Sequence, residues 1–257
     1  MIDQLWLVPL GFVAGVLGSM IGLGGGIIVV PILTFFGFSP TLAASSSLFA
    51  AFSNSVASTI SYSRQKRIEY SLGLKLGLLT VPGTIIGAYF SSDVSPEIFK
   101  ILFGFVLIAS AVYIFLRKKI ESKEKNLSQQ MMIFAVGASF FAGIISAFFG
   151  IGGGIIFVPL MVVGMGMAMK KAAPTSQLVL FFASLSGVIV HTILGHSDFL
   201  QAGLLSAGSF AGGLVGARLS LDIKERFLQI LVSVVIIGAA IKMFLDSLSG
   251  NLNLLNS

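Results

Sequence analysis

The chain has 257 residues, 56% of them apolar and only 10% charged, where soluble domains carry about 25% charged residues; the composition excludes an ordinary soluble enzyme or binding module. Its net charge of +6 is gathered in a few short loops, which excludes a nucleic-acid footprint and leaves an orientation signal. With no cysteine, disulfides, thiolate metal sites and cysteine-based relays are excluded as well.

The N-terminus lacks a basic n-region and a small-residue cleavage site, so the first apolar segment is expected to stay as a membrane helix. No charge interrupts the chain between Asp3 and Arg64. At about 1.5 Å per helical residue, this run holds about three crossings of a ~30 Å hydrocarbon layer. The apolar segments are, in chain order, 5–21, 26–38, 41–61, 72–90 and 98–116, then 131–149, 154–169, 174–194, 200–218 and 227–245.

The second set repeats the first. Gly22–Pro31 reads GLGGGIIVVP and Gly150–Pro159 reads GIGGGIIFVP, identical at eight of ten positions. Upstream, Phe12, Ala14 and Gly15 match Phe140, Ala142 and Gly143. After a one-residue shift, Gly83, Gly87, Ala88, Ser91 and Asp93 match Gly212, Gly216, Ala217, Ser220 and Asp222. The expected organisation is a first membrane repeat over 1–116, a cytoplasmic linker over 117–130 and a second membrane repeat over 131–257. The expected fold class is an all-α polytopic membrane protein with 8–10 membrane segments, each half a glycine-broken helical hairpin plus three helices.

Basic loops orient the halves. Arg64, Lys66 and Arg67 mark one cytoplasmic loop, and Arg117, Lys118, Lys119, Lys123 and Lys125 mark the linker. The stretch Ser91–Glu97 carries Asp93 and Glu97 and no base. In the second half the bias reverses: Gly195–Phe199 is acidic and Arg218–Arg226 is net basic. A parallel repeat would put Lys170, Lys171, Lys224 and Arg226 outside, so the expectation is an inverted-topology repeat, the arrangement of many secondary transporters.

No charge accompanies the junctions Gly22–Gly26 and Gly150–Gly154, so both are expected to lie at membrane depth, tolerated only inside protein or beside a cavity. Helices starting at such breaks leave backbone N–H groups free at the positive end of the helix dipole, which makes an anion site. The candidate substrate-binding residues there are Gly24, Gly25, Gly26, Gly152, Gly153 and Gly154. Close helix packing is the other role open to these glycines, and it is the role assigned to the GxxxG pairs Gly83/Gly87 and Gly212/Gly216. A nucleotide-binding loop is rejected, because the Lys-Ser/Thr ending and soluble βαβ context are missing.

The doubled GxGGGxxxVP segments, Gly22–Pro31 and Gly150–Pro159, with the GxxxGA elements Gly83–Ala88 and Gly212–Ala217, make the chain resemble the TauE/SafE family of sulfite-exporter-like and toluene-sulfonate-permease proteins. The resemblance covers roughly residues 5 to 245. It implies a carrier in the inner membrane of a bacterium or archaeon for small organic or sulfur-containing anions: sulfite, sulfonates, sulfoacetate or carboxylates.

Polar residues at membrane depth complete the candidate site. Ser46 and Ser47 open the third segment, Thr175, Ser176 and Gln177 open its counterpart, and Asn54 lies further along the first. Asn54 and Gln177 each offer two donors to an oxyanion. His191, counterpart of Tyr62, is the titratable group well inside an apolar span. It is either a proton-coupling site or a plain hydrogen-bonding histidine near a helix end. Ser95-Pro96, Asp93 and Asp222-x-x-Glu225 read as helix starts. The functional expectation is a secondary transporter of a small anion by alternating access, with a passive anion channel as the alternative. An enzyme is not expected for want of a nucleophile–base pair, and neither a cofactor nor a metal is called for; the partners are the small anion and the lipid bilayer, with no nucleic acid.

Overall fold

Apolar runs this long satisfy their backbone groups internally, and the chain does so as helix. The computed structural model describes residues 4–91, 94–116, 129–221, 237, 238, 240 and 241. Among these the elements are α1 (Leu7–Ile21), α2 (Gly26–Phe35), α3 (Pro40–Arg64), α4 (Tyr70–Phe90), α5 (Pro96–Leu116), α6 (Gln129–Phe149), α7 (Gly154–Pro159) running into a π-helical turn (Leu160–Gly164), α8 (Met169–Ile193) and α9 (Phe199–Leu219). Each matches an expected apolar segment. The tenth segment, 227–245, lies outside the described residues except for four helical positions, as do Asp93, Asp222 and Glu225. The expected linker also lies outside them, except that Gln129 and Gln130 begin α6.

Local chemistry sets the helix ends. The Ser39 hydroxyl accepts from Leu42 N with Pro40 in the first turn of α3. Ser95 accepts from Ile98 N ahead of α5. The Asp198 carboxylate accepts from Leu200 N and Gln201 N at the start of α9, at 2.9 and 3.2 Å. α4, α8 and α9 are long and apolar enough to cross a membrane, and α1, α2 and Ile133–Phe149 of α6 are shorter apolar helices. Phe134, Phe141 and Ile193 stand exposed, large apolar side chains that lipid covers without cost.

α3 and α8 lie side by side and antiparallel. At one end Arg67 Nε donates to Lys170 O at 2.8 Å, and Lys171 pairs with Glu69 at 2.9 Å. At the other end the hydroxyls of Ser45 and Ser197 meet at 2.8 Å.

The halves also meet where α3 packs along α9 and α4 along α8, and at two further seams, α1 along α9 and α4 along α6. Both close on glycine. A Cβ at Gly83 or Gly87 would run into the carbonyl oxygen of Phe140 or Ile144, and one at Gly212 would run into that of Phe12. At Gly216 it would meet the Ser19 hydroxyl and the Val16 carbonyl. The GxxxG pairs therefore bring backbones together across the seams, the packing role expected of them.

Candidate anion site at the glycine hairpins

The first break begins where α1 ends at Gly22, whose φ of 82° is left-handed. Gly22 N and Leu23 N both donate to Gly18 O at 3.0 Å. α2 takes up its ladder with Ile28 N and Val29 N on Gly25 O, at 3.0 and 3.1 Å. Between them, the N–H groups of Gly24, Gly25, Gly26 and Ile27 have no acceptor among the described residues. The second break repeats this. Ile156 N and Phe157 N bond Gly153 O, and the N–H groups of Gly152, Gly153, Gly154 and Ile155 have no acceptor among the described residues. All of these residues except Ile156 are buried. Unpaired buried donors of this kind are rare in proteins, and they suit an anion.

The breaks meet back to back. Ser47 Oγ donates to Gly150 O at 2.7 Å, and its counterpart Ser176 Oγ donates to Gly22 O. A Cβ at Gly26 would collide with Gly150 O, and one at Gly154 would come within 2.5 Å of Gly22 O. Gly26 and Gly154 thus let each hairpin touch the other. Gly24 and Gly152 instead face Leu180, with Ala51, the repeat counterpart of Leu180, also at Gly152. A Cβ on Gly25 would point away from this centre, to Ala14 on α1 at 3.1 Å. The candidate glycines therefore divide between contact with the other hairpin, contact with the centre and contact with α1.

The polar candidates divide too. Ser47 and Ser176 spend their single donors on the opposite hairpin. Gln177 Nε2 donates to Gly18 O at 3.1 Å, and its Oε1 has no partner in this structure. The Ser46 hydroxyl is buried and without a partner. Thr175 is held at the α3–α4 loop: its hydroxyl donates to Lys171 O at 2.7 Å and accepts from Glu69 N at 3.0 Å. Asn54 lies against Gly213 on α9, its Oδ1 accepting from Ser58 and its Nδ2 unpartnered. The breaks thus gather the glycines, Ser47, Ser176 and Gln177, while Thr175 and Asn54 bond elsewhere.

Sequence reasoning passed over Ser146. It is fully buried, its hydroxyl has no partner, and its Cβ is 3.4 Å from where a Cβ on Gly153 would stand. Its counterpart is Gly18, where a Cβ would come within 2.5 Å of Gly25 N. The loop beside Ser146 bends differently: Gly153 has φ 82° where Gly25 has −70°. A serine aligned with a glycine in an otherwise glycine-matched segment was the available signal.

His191 is buried on α8. Its Nε2 is 3.0 Å from Ala147 O, and its Nδ1 is 3.2 Å from Nδ1 of His196 on the following loop. Its counterpart Tyr62 makes the equivalent bond, donating to Ser19 O at 2.8 Å. Partial burial pulls His196 below the ordinary histidine range.

The two serine bonds are testable. Ser47→Ala or Ser176→Ala strands a buried glycine carbonyl, at a cost of about 1–3 kcal/mol each. The expected outcome is a lower thermal unfolding midpoint in either variant. The double variant is expected to lose less than the sum, because both bonds hold the same contact. Unchanged midpoints would remove these bonds from the account of how the hairpins meet.

The chain matches the family described as sulfite exporter TauE/SafE over residues 7–243. It is 31% identical to the probable membrane transporter protein YunE of Bacillus subtilis, with 90% of this chain and 93% of that protein covered. A probable membrane transporter protein of Methanocaldococcus jannaschii is 28% identical, with 88% and 90% covered. YfcA of Escherichia coli K12, also a probable membrane transporter protein, is 25% identical, with 96% and 93% covered. No solved structure matches the chain. Helices apolar enough to span a bilayer, the doubled glycine breaks and these likenesses agree: the protein is a membrane transporter belonging to the sulfite exporter TauE/SafE family.

Proposed function

We propose that the protein is a multi-pass secondary transporter of the cytoplasmic membrane. In this reading it carries small organic or sulfur-containing anions, such as sulfite, sulfonates or carboxylates, by alternating access between two inverted repeats. The observation that carries this reading is the pair of buried glycine breaks, which meet at the junction of the halves and whose backbone N–H groups have no acceptor among the described residues. Such donors serve an anion without a fixed cation, whose desolvation inside the membrane would be costly. The family description, sulfite exporter, agrees with a sulfur oxyanion.

Inversion draws support from the antiparallel α3 and α8 and from the seams, in which α1–α9 and α4–α6 are counterparts of one another. It also draws support from charge. Arg67 reaches Lys170 O and the Ser220 hydroxyl, so Arg64, Lys66, Arg67, Lys170, Lys171 and Arg218 gather at one end, while Asp198 and Glu97 belong to the other. By the positive-inside bias the basic end is cytoplasmic. Burial of every candidate residue in this state suits a carrier occluded at its centre more than an open channel.

In proteoliposomes, external sulfite or a short alkylsulfonate should exchange with internal anion, saturably and with trans-stimulation. Large unitary conductance without trans-stimulation would make the protein a channel. The absence of cysteine gives a clean background for topology. An impermeant maleimide on intact cells should label Phe199→Cys and spare Lys66→Cys and Lys170→Cys. Labelling of all three from outside would end the inverted reading.

A further inference from the structure

Gln177 stands on the stretch of α8 that runs along the first break. Ala173, one turn before it, meets Gly22, and Leu180, one turn after it, meets Gly24. Between them, Ser176 Oγ donates to Gly22 O and Gln177 Nε2 donates to Gly18 O at 3.1 Å. The Gln177 side chain is fully buried. Gly18 O can only accept, so the amide is fixed with its nitrogen on that carbonyl and its Oε1 left for a donor. No described group donates to Oε1. The buried N–H groups of Gly24, Gly25, Gly26 and Ile27 in the same break have no acceptor among the described residues. A buried acceptor and buried donors thus lie along one short break and do not satisfy one another.

The repeat supplies an internal comparison. The counterpart of Gln177 is Leu48, and that of Gly18 O is Ser146 O. Ser146 O accepts Ile151 N at 3.2 Å, as Gly18 O accepts Leu23 N at 3.0 Å. Leucine has no amide to offer, and the second break closes without one. Gly18 O also accepts Gly22 N at 3.0 Å, so its lone pairs are already served by backbone donors. The fold therefore does not call for an amide at this place in α8. Burying one with its oxygen unpaired is costly, and that cost is recovered only when a donor arrives.

We propose that Gln177 Oε1 accepts a hydrogen bond from the cargo, and that the transporter thereby selects small, singly charged oxyanions that bring a hydroxyl of their own. Hydroxylated sulfonates and carboxylates belong to this class, as does the half-protonated form of a dibasic oxyanion. The proposal rests on the anion reading above and narrows it. The N–H groups of the break hold the charged oxygens, and the cargo hydroxyl donates to Oε1. The bond from Nε2 to Gly18 O stays in place. A cargo with only bare oxygens would set lone pairs against Oε1, and one with an apolar tail would leave Oε1 unpaired; both weaken binding. Such a site discriminates more sharply than an apolar pocket, because the wrong cargo strands a buried polar group. A cation does not suit it, since the N–H groups beside Oε1 are donors.

Ligand pairs matched in charge and size read the preference: 2-hydroxyethanesulfonate against propane-1-sulfonate, and glycolate against propionate. Each pair exchanges a hydroxyl for a methyl. Calorimetry on the full chain in nanodiscs should show the hydroxylated member binding about tenfold or more tightly than its partner in at least one pair, the worth of one good hydrogen bond. Gln177→Leu, which copies Leu48, should bring the ratio below about twofold in both pairs. Gln177→Met serves as a second apolar variant where the leucine variant is not monodisperse. A purely structural amide would, on removal, weaken both members of a pair alike and leave the ratio intact, and that result would overturn the proposal. So would a parent ratio under about twofold in both pairs, which would leave Oε1 to water. Sodium-dependent binding of propane-1-sulfonate that is lost in Gln177→Leu would assign Oε1 to a cation and overturn it too. If sulfite and every probe fail to bind the parent, the anion reading falls and takes this proposal with it. Sulfite binding with no preference inside either pair sinks this proposal alone.

Discussion

Gly152→Ala should weaken anion binding about a hundredfold in protein that still elutes as one monodisperse species. A methyl there would stand 3.4 Å from both Ala51 and Leu180, in ordinary contact, on the side of the break that faces the centre. It would cover the donors without forcing the helices apart. Loss of two charge-assisted hydrogen bonds, at about 1.5–3 kcal/mol each, accounts for a change of that size. The φ of 77° adds strain of about 1–2 kcal/mol, so the comparison needs a control. Gly37→Ala supplies it, with φ 85° and nothing within 4 Å of the added carbon. Calorimetry with sulfite, a short alkylsulfonate and acetate decides the matter. Equal affinities in Gly152→Ala and Gly37→Ala would show that the anion binds elsewhere. Gly25→Ala is a weaker test of the same idea, because its methyl would press on Ala14 of α1 and shift the break by only tenths of an ångström.

The largest loss of stability is expected from Gly83→Ala and Gly212→Ala. Either methyl runs into a backbone carbonyl across a seam between the halves. The carbonyl belongs to a helix and cannot swing aside like a side chain, so the two helices must separate. Overpacking of this kind costs about 1–3 kcal/mol and occasionally more. The expected outcome is poor yield and a lowered unfolding midpoint, with normal anion affinity in whatever protein survives. Gly203→Ala on α9 meets nothing within 4 Å and should be neutral or stabilising, since alanine favours helix over glycine by about 1 kcal/mol. Variants at Gly83 and Gly203 that behave alike would contradict the seam.

Much of this was legible from neighbouring residues alone. The apolar runs specified the helices because a chain in lipid must close its own hydrogen bonds. The glycine triplets and the caps at Ser39, Ser95 and Asp198 are likewise local, and they marked where helices stop and start. The match of Gly22–Pro31 to Gly150–Pro159 announced two related halves.

The partners of individual side chains were not legible, and Thr175 shows why. It sits beside Ser176 at the mouth of a helix aligned with Ser46 and Ser47, yet its hydroxyl serves Glu69 N, 106 positions away. Ser47 reaches Gly150 across 103 positions, and His191 meets Ala147 across 44. α4 and α9 show almost no apolar stripe, being apolar on every face, so their sequences give no sign of which side meets protein and which meets lipid. By itself the sequence determined that the chain is a duplicated, glycine-broken helical membrane protein of the TauE/SafE type. Only the tertiary structure decided which glycines touch the opposite hairpin, which face the centre, and which serines spend their donors on backbone. Those choices depend on contacts between residues far apart in the chain, and no local pattern encodes them.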